Sequence, residues 1–278
     1  MSLLLKSSAL KKQINTQLLN KYIENNVNRN IDLYNLNFII LNKVLCEKQN
    51  FNTDGYFSYL QPNNLTEKIQ HEFKRRLWLG GTIETFQPEK LLNKNQKINN
   101  VILKEVLDNV KLLKKDCMVT YTRTICDGDN SEEEKIYLKE KRQLFYTNEL
   151  FHERIGNTLD FISFNYNHLS DNIVFSDEEI IQFSRKTLNP HYIHLDKYYN
   201  KKIEGYPEKL VVQGPYMLIE SIKYLQHITR MKYFSKITYK IKQNLFSNEP
   251  VFIKLSTNKK ELKLGNNNLG TVLTLNYI

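Results

Sequence analysis

Apolar residues recur along this chain with two different periods. In Val119–Cys126 (VTYTRTIC) and Lys135–Tyr146 (KIYLKEKRQLFY) they alternate with polar ones, as in strands buried on one face. Asp127-Gly128-Asp129-Asn130-Ser131 and three glutamates lie between them, so the pair predicts an antiparallel hairpin closed by an acidic, solvated turn. Residues 31–46 and 101–115 place their apolar residues at helix-like or mixed spacing, and 147–170 is weakly periodic and reads as a connection between two halves. Asn172–Phe175 is strand-like. Ser176 then opens a helix as its N-cap, with Glu179 as capping-box partner and Ile180, Ile181 and Phe183 on the buried side. The stretch Ser184–Asp196 is polar. After Val211-Val212-Gln213-Gly214, Pro215 suits the first turn of a second helix, whose Met217, Leu218, Ile222 and Leu225 predict deep burial. Three strands follow, Ile237–Leu245, Val251–Ser256 and Gly270–Tyr277, the last preceded by an Asn266-Asn267-Asn268 turn. A long helix wrapped by a curved antiparallel sheet satisfies this order in the C-terminal half.

Composition supports a sheet-rich reading. Tyr (17) and Phe (14) outnumber Gly (9) and Pro (6), and 41% of the chain is hydrophobic, enough for a sizeable core. A length of 278 residues accommodates two domains of ordinary size. The net charge of +10 suits an acidic partner, whether nucleic acid, anionic membrane, acidic protein or phosphorylated ligand; a general richness in Lys and Asn explains it equally well. Cys46, Cys117 and Cys126 are far apart, which argues against a disulfide scaffold or a structural zinc site and for a reducing compartment. No stretch of about 18 apolar residues exists to span a membrane. The first 23 residues carry Lys6, Lys11, Lys12 and Lys21, no acid, and leucines near helical spacing. Residues 1–25 therefore read as a mitochondrial presequence, with a plain surface helix as the alternative.

Few residues offer chemistry. The chain has no P-loop, no GxGxxG, no serine nucleophile elbow and no HExxH. His71, His152, His168 and His227 stand alone, which is the pattern of surface or packing histidines. Asn189, His191, His194 and Asp196, by contrast, fall within eight residues. A histidine pair three apart could hold a metal on a helix, but Pro190 breaks a helix there and no further ligand cluster accompanies it. Imidazole is suited to proton transfer near neutral pH, although a two-histidine polar loop can equally be decoration. Gly214 starts a helix, whose free N–H groups and partial positive charge could stabilise an oxyanion or could simply mark a strand-to-helix turn.

Residues 183–215, FSRKTLNPHYIHLDKYYNKKIEGYPEKLVVQGP, resemble the signature of MaoC-like enoyl-thioester hydratases and dehydratases, in particular the fungal mitochondrial 3-hydroxyacyl-thioester dehydratases of type 2. Arg75–Gly81 (RRLWLGG) and Lys141–Tyr146 (KRQLFY) resemble further stretches of that family, so the likeness covers roughly residues 70–278. It implies an α+β double hot-dog fold, two units each with a long helix wrapped by a curved antiparallel sheet. An N-terminal half at 26–150 and a catalytic C-terminal half at 151–278 would follow the presequence. It also implies (3R)-3-hydroxyacyl chains on acyl carrier protein, dehydrated reversibly to trans-2-enoyl thioesters in mitochondrial type II fatty acid synthesis in the matrix. No cofactor, metal or nucleic acid is called for, and the acidity of carrier proteins gives the +10 charge a use.

By the same resemblance His194 is the catalytic histidine, and the Gly214 N–H faces the thioester oxygen. The family pattern has an acid where this chain has Asn189, Asn where it has His191, and His where it has Gln213. These departures leave the reaction class standing but reopen the division of labour. His194 is expected to take the C2 proton and help protonate the departing hydroxyl, while Asn189 orients that hydroxyl through its amide. His191, Gln213 and Asp196 are supporting residues, Asp196 being either loop-orienting or merely solvated. Trp78, Gly80 and Gly81 are expected to serve a tight turn and packing in the non-catalytic half. The alternatives are a catalytically dead acyl-thioester-binding hot-dog protein, suggested by Asn189, and a hot-dog thioesterase. A nucleic-acid role rests on charge alone.

Overall fold

The computed structural model describes residues 51–58, 61–86, 101–127, 136–150 and 158–278. The expected presequence, the stretch 31–46 and the glutamate-rich turn lie outside them. The N-terminal half supplies helix α1 (Pro62–Leu65) and strands β1 (Arg75–Thr85), β2 (Val101–Leu113), β3 (Asp116–Asp127) and β4 (Ile136–Thr147). The C-terminal half supplies α2 (Thr158–Ile162), β5 (His168–Leu169), α3 (Asp177–Thr187), α4 (Lys197–Tyr199), α5 (Gly214–Thr229), β6 (Lys236–Ile241), β7 (Phe252–Ser256), β8 (Glu261–Asn266) and β9 (Gly270–Tyr277). The strands form one nine-stranded sheet in the order β2-β3-β4-β1-β6-β9-β8-β7-β5.

Helix α5 is the central helix of the C-terminal half. Its Met217, Leu218, Ile219, Ile222 and Leu225 are buried in one core with Ile253 and Leu255 of β7, Leu262 and Leu264 of β8, and Leu273 and Leu275 of β9. Each fully buried aliphatic side chain contributes roughly 1.5–3 kcal/mol, so this packing outweighs local propensity. A helix held against a curved antiparallel sheet is the hot-dog arrangement. A second core, built on Tyr56, Phe57, Leu107, Val110, Val119, Tyr121 and Tyr146, belongs to the N-terminal strands.

The two sets of strands meet where β1 pairs with β6, from Gly80↔Lys240 to Glu84↔Lys236. Two glycines make that seam. A Cβ on Gly81 would sit 1.9 Å from the Lys141 carbonyl oxygen, and one on Gly80 2.3 Å from that of Tyr239. Only glycine lets β4 and β6 close on β1 from both sides. Gly80 and Gly81 therefore mark a bulge in mid-strand, between Trp78 and Gly80 in the pairing with β4, and not the tight turn expected from sequence.

The hairpin of β3 and β4 is present as expected, paired from Cys117↔Tyr146 to Cys126↔Ile136. The helix-like spacing of 101–115 belongs instead to strand β2. A bulge between Leu107 and Asn109 shifts the pleat by one residue, so Leu107 and Val110, three apart, both face inward. Two further expectations change. Asn172–Phe175 contributes only an isolated bridge, Ile173↔Val251, and β6 ends at Ile241 instead of continuing to Leu245. Strand β8 was not anticipated.

Candidate active site

Helix α3 begins with the expected capping box. Ser176 Oγ accepts from the Glu179 N–H at 3.3 Å, and a Glu179 carboxylate oxygen accepts from the Ser176 N–H at 2.8 Å. It ends on Leu188 in the left-handed conformation (φ 52°, ψ 41°), an uncommon state for a side chain with a Cβ. That reversal, with Pro190 two residues on, turns the chain out of the helix and brings Asn189 to the cleft. The loop is then stitched down from beneath. Asn200 Nδ2 donates to the Ile193 and Lys209 carbonyls at 2.8 and 2.7 Å, and the Val211 N–H donates to the Ile193 carbonyl at 2.9 Å. This tie places His194 beside Val211, three residues before Gly214.

One cleft of about 180 Å³ is lined by Asn189, His191, His194, Gln213 and Gly214 together. His194 is buried, and its Nδ1 lies 2.8 Å from the Val211 carbonyl oxygen. A carbonyl can only accept, so Nδ1 carries the proton and the Nε2 lone pair is left for chemistry. Burial, aided by the Arg76 charge, lowers the His194 pKa to about 4; the Val211 bond opposes this. The ring is thus a neutral base at physiological pH. His191, also buried, is held well below its ordinary pKa by desolvation and then by Arg76 and His194. The two rings meet edge to face, 5.4 Å apart at 87°. Asn189 Oδ1 accepts the His191 N–H at 3.2 Å, which leaves the Asn189 amide NH₂ to donate.

The start of α5 presents a single donor. The Tyr216 and Met217 N–H groups both donate to the Gln213 carbonyl, and Pro215 has no N–H. Among the described residues the Gly214 N–H has no acceptor, so the positive end of a 16-residue helix is focused on that one group. A Cβ at 214 would lie 2.5 Å from Ile241 Cδ1 and 3.1 Å from Trp78 Cε3, so a larger residue there would make the Ile241 side chain turn aside and press on the indole. Gln213 points the other way. Its amide donates to the Ile180 carbonyl at 2.8 Å and Ser184 Oγ at 2.7 Å, pinning α5 to α3. Asp196 lies outside the cleft and caps α4 through the Tyr199 N–H at 2.9 Å, so it orients the loop and is not merely solvated.

The opposite wall comes from the N-terminal half, which sequence reasoning had set aside. Tyr56, Arg76, Trp78, Tyr121, Arg142 and Leu144 line the same cleft. Trp78 packs against Gly214 and Tyr239, and Arg142 lies over its ring at 4.4 Å while bound to the Glu140 carboxylate at 2.8 Å. Arg76 stacks on Tyr56, 3.3 Å from the ring centroid. Asp54, almost completely buried, stands behind His191 with Oδ2 3.4 Å from Nε2. The one sequence signal at that position is the Asp54-Gly55 dipeptide, which marks a turn and carries no hint of a distant partner. Among the described residues no group of three or more His, Cys, Asp or Glu side chains is arranged to hold a metal ion.

Comparison with known proteins places the chain by family and by fold. The mitochondrial hydroxyacyl-thioester dehydratase type 2 of Saccharomyces cerevisiae is 30% identical over 166 residues, which cover 59% of this chain and 56% of that protein. The match thus spans little more than half the length of that relative. Among solved structures, HtdX of Mycobacterium tuberculosis superposes with a TM-score of 0.56 at 8% identity, covering 96% of each chain. A MaoC-like dehydratase from Phytophthora capsici gives 0.53 at 11% identity, covering 73% of this chain and 69% of that one. These likenesses establish the hot-dog fold. The family model for hydroxyacyl-thioester dehydratase type 2 matches residues 35–247, three quarters of the chain, and the chain belongs to that family.

Proposed function

We propose that the protein catalyses the reversible dehydration of (3R)-3-hydroxyacyl thioesters to trans-2-enoyl thioesters. The observation that carries this reading is the convergence on one cleft of a neutral imidazole with a free Nε2 and a helix-start N–H without an acceptor. The thioester carbonyl oxygen accepts from the Gly214 N–H, which together with the helix dipole stabilises enolate character as the C2–H bond weakens. His194 Nε2 takes that proton. The C2–H electron pair forms the C2=C3 double bond, the C3–O bond breaks, and the hydroxyl leaves as water with the proton returned by His194. The Asn189 amide NH₂ holds the hydroxyl during this transfer, a task that needs no ionisation. Trp78, Leu79, Leu144 and Met217 give the acyl chain an apolar wall.

The natural form of the substrate is a thioester on acyl carrier protein, in mitochondrial fatty acid synthesis in the matrix. The net charge of +10 favours an acidic carrier, and the Saccharomyces relative bears a mitochondrial name. One assay series tests both levels. Wild-type protein and His194→Ala are given enoyl and 3-hydroxyacyl thioesters of carrier protein and of coenzyme A at rising salt. Loss of a positioned acid–base group costs about 10²–10⁴-fold, and that loss is expected for His194→Ala with the protein still folded. Turnover of the carrier-bound substrate should fall more steeply with salt than that of the coenzyme A thioester. Near-normal turnover by His194→Ala removes the mechanism, no turnover by the wild type leaves a binding protein, and equal salt dependence removes the carrier.

A further inference from the structure

Among the described residues, Arg76, Arg142, Lys242 and two histidines line the cleft and no carboxylate does. Asn189, the loop's other polar residue in the cleft, is an uncharged amide. Directly behind His191, however, the N-terminal segment brings in Asp54. We infer that Asp54 is a positioning residue for this chemistry, supplying through His191 the carboxylate that the loop itself lacks; the inference rests on His194 being the base.

Four observations support it. Asp54 is only 2% exposed, and it is not there as a solvated turn residue. Its two oxygens have different duties: Oδ1 accepts the Tyr56 N–H at 2.9 Å and shapes the turn, while Oδ2 faces His191 Nε2 at 3.4 Å. At that distance the contact is electrostatic, and a carboxylate there favours the tautomer with the proton on Nε2; the ring itself stands edge-on to His194. Next, the segment is fastened to the loop independently of that contact. The Asp54 carbonyl accepts the Tyr192 N–H at 2.9 Å. Gly55, at φ +78°, packs so closely that a Cβ would lie 2.7 Å from the Tyr192 ring and 2.8 Å from the Pro190 carbonyl oxygen. Finally, the charges balance. Arg76 disfavours protonation of both histidines, so the imidazolium formed when His194 takes the C2 proton needs a compensating negative charge. Burial raises the Asp54 pKa, and Arg76 with the Tyr56 and Asp54 backbone N–H groups opposes that rise.

Asp54 does not line the cleft, so its loss should act on kcat and spare KM. Asp54→Asn keeps the shape and the acceptor for Tyr56 while removing the charge. We expect a kcat about 10- to 100-fold lower with KM within about twofold, the range expected when a reacting group is misplaced or unsupported. Asp54→Glu should recover part of the loss. The ring ¹⁵N signals of His191 should report Nε2–H in the full-length wild type and a mixture of tautomers in Asp54→Asn, with His194 staying Nδ1–H in both. A folded Asp54→Asn protein with wild-type kcat and an unchanged His191 tautomer overturns the inference, as does a loss confined to KM or to thermal stability. His194→Ala run in parallel separates the two failures. If it remains active, the base assignment falls and the His191 tautomer alone judges Asp54; if it is inactive while Asp54→Asn is normal, only the role of Asp54 falls.

Discussion

Gly214 contributes in two separate ways, and they can be pulled apart. Its N–H is the one uncommitted donor at the start of α5, and its missing Cβ leaves room for Ile241 and Trp78. Gly214→Ala keeps the N–H but forces a shift, because the indole is rigid and its contact would be 3.1 Å. A 1 Å displacement at such a site costs up to about 10²-fold and the shift needed here is smaller, so kcat should fall by about 10-fold or less while substrate binding changes less. Adding Ile241→Ala relieves the 2.5 Å contact and should restore part of the rate. An unimpaired Gly214→Ala enzyme would show that the helix start does not touch the thioester. Asn189→Ala should be milder than His194→Ala, since it removes an orienting amide and leaves the base in place. His191 lines the cleft with its ring against His194, while Asp196 caps α4 and Gln213 pins α5 to α3.

Among the elements, α3 is both the most predictable and the most consequential for the loop. Its capping box satisfies two N–H groups at once, and a lost cap costs about 1 kcal/mol. Ser176→Ala should therefore lower the unfolding free energy read from urea titration by about 1 kcal/mol, with the slope m unchanged. Combining it with Glu179→Ala should add less than the sum, because the two residues share one motif. The functional loop starts twelve residues after the cap and is anchored separately by Asn200 and Val211, so kcat should not change. A large kcat effect of Ser176→Ala would mean that the loop is held by the helix and not by its own ties. Strand β2 teaches the opposite lesson. Its bulge at Leu107/Asn109 gave the sequence a false helical period, since an inserted residue turns an i, i+2 face into an i, i+3 one.

For the whole molecule, the buried neutral histidines tie stability to pH. A histidine whose pKa is depressed in the fold takes up protons only in the unfolded chain between its ordinary value near 6.5 and its folded value. Their contribution is complete above about pH 6.5 and is lost as pH falls toward the folded value, about 4 for His194. Each unit of depression corresponds to about 1.4 kcal/mol. Asp54 acts in the opposite sense, because a carboxyl with a raised pKa holds its proton more tightly in the fold. Two depressed histidines stand against one raised carboxyl, whose ordinary value lies below this pH window, so the net trend follows the histidines. Denaturant unfolding at pH 7.5 and pH 5 should show the protein less stable at the lower pH, and a His194→Gln variant should show a smaller difference. Equal stability of the wild type at both values would mean that the rings titrate normally and are not sealed in the cleft.

Local patterns in the chain were enough to place the capping box of α3, the Pro215 helix start, the β3–β4 hairpin and the last strand. Each of these depends on neighbours within a few residues, where periodicity and capping act. The family signature at 183–215 pointed to His194 and Gly214 for the same reason, since both lie on one short stretch. The sequence could not show that the Gly80-Gly81 pair is squeezed between β4 and β6, because those strands arrive from residues 136–147 and 236–241. Nor could it show that Arg76, Trp78 and Arg142 form the far wall of the cleft. Asp54 lies 137 positions from His191 along the chain, and only the docking of the N-terminal segment on the loop puts its carboxylate behind that ring. Burial, charge balance and histidine tautomer are set by which surfaces exclude water together, and that is decided by tertiary packing and not by spacing along the chain.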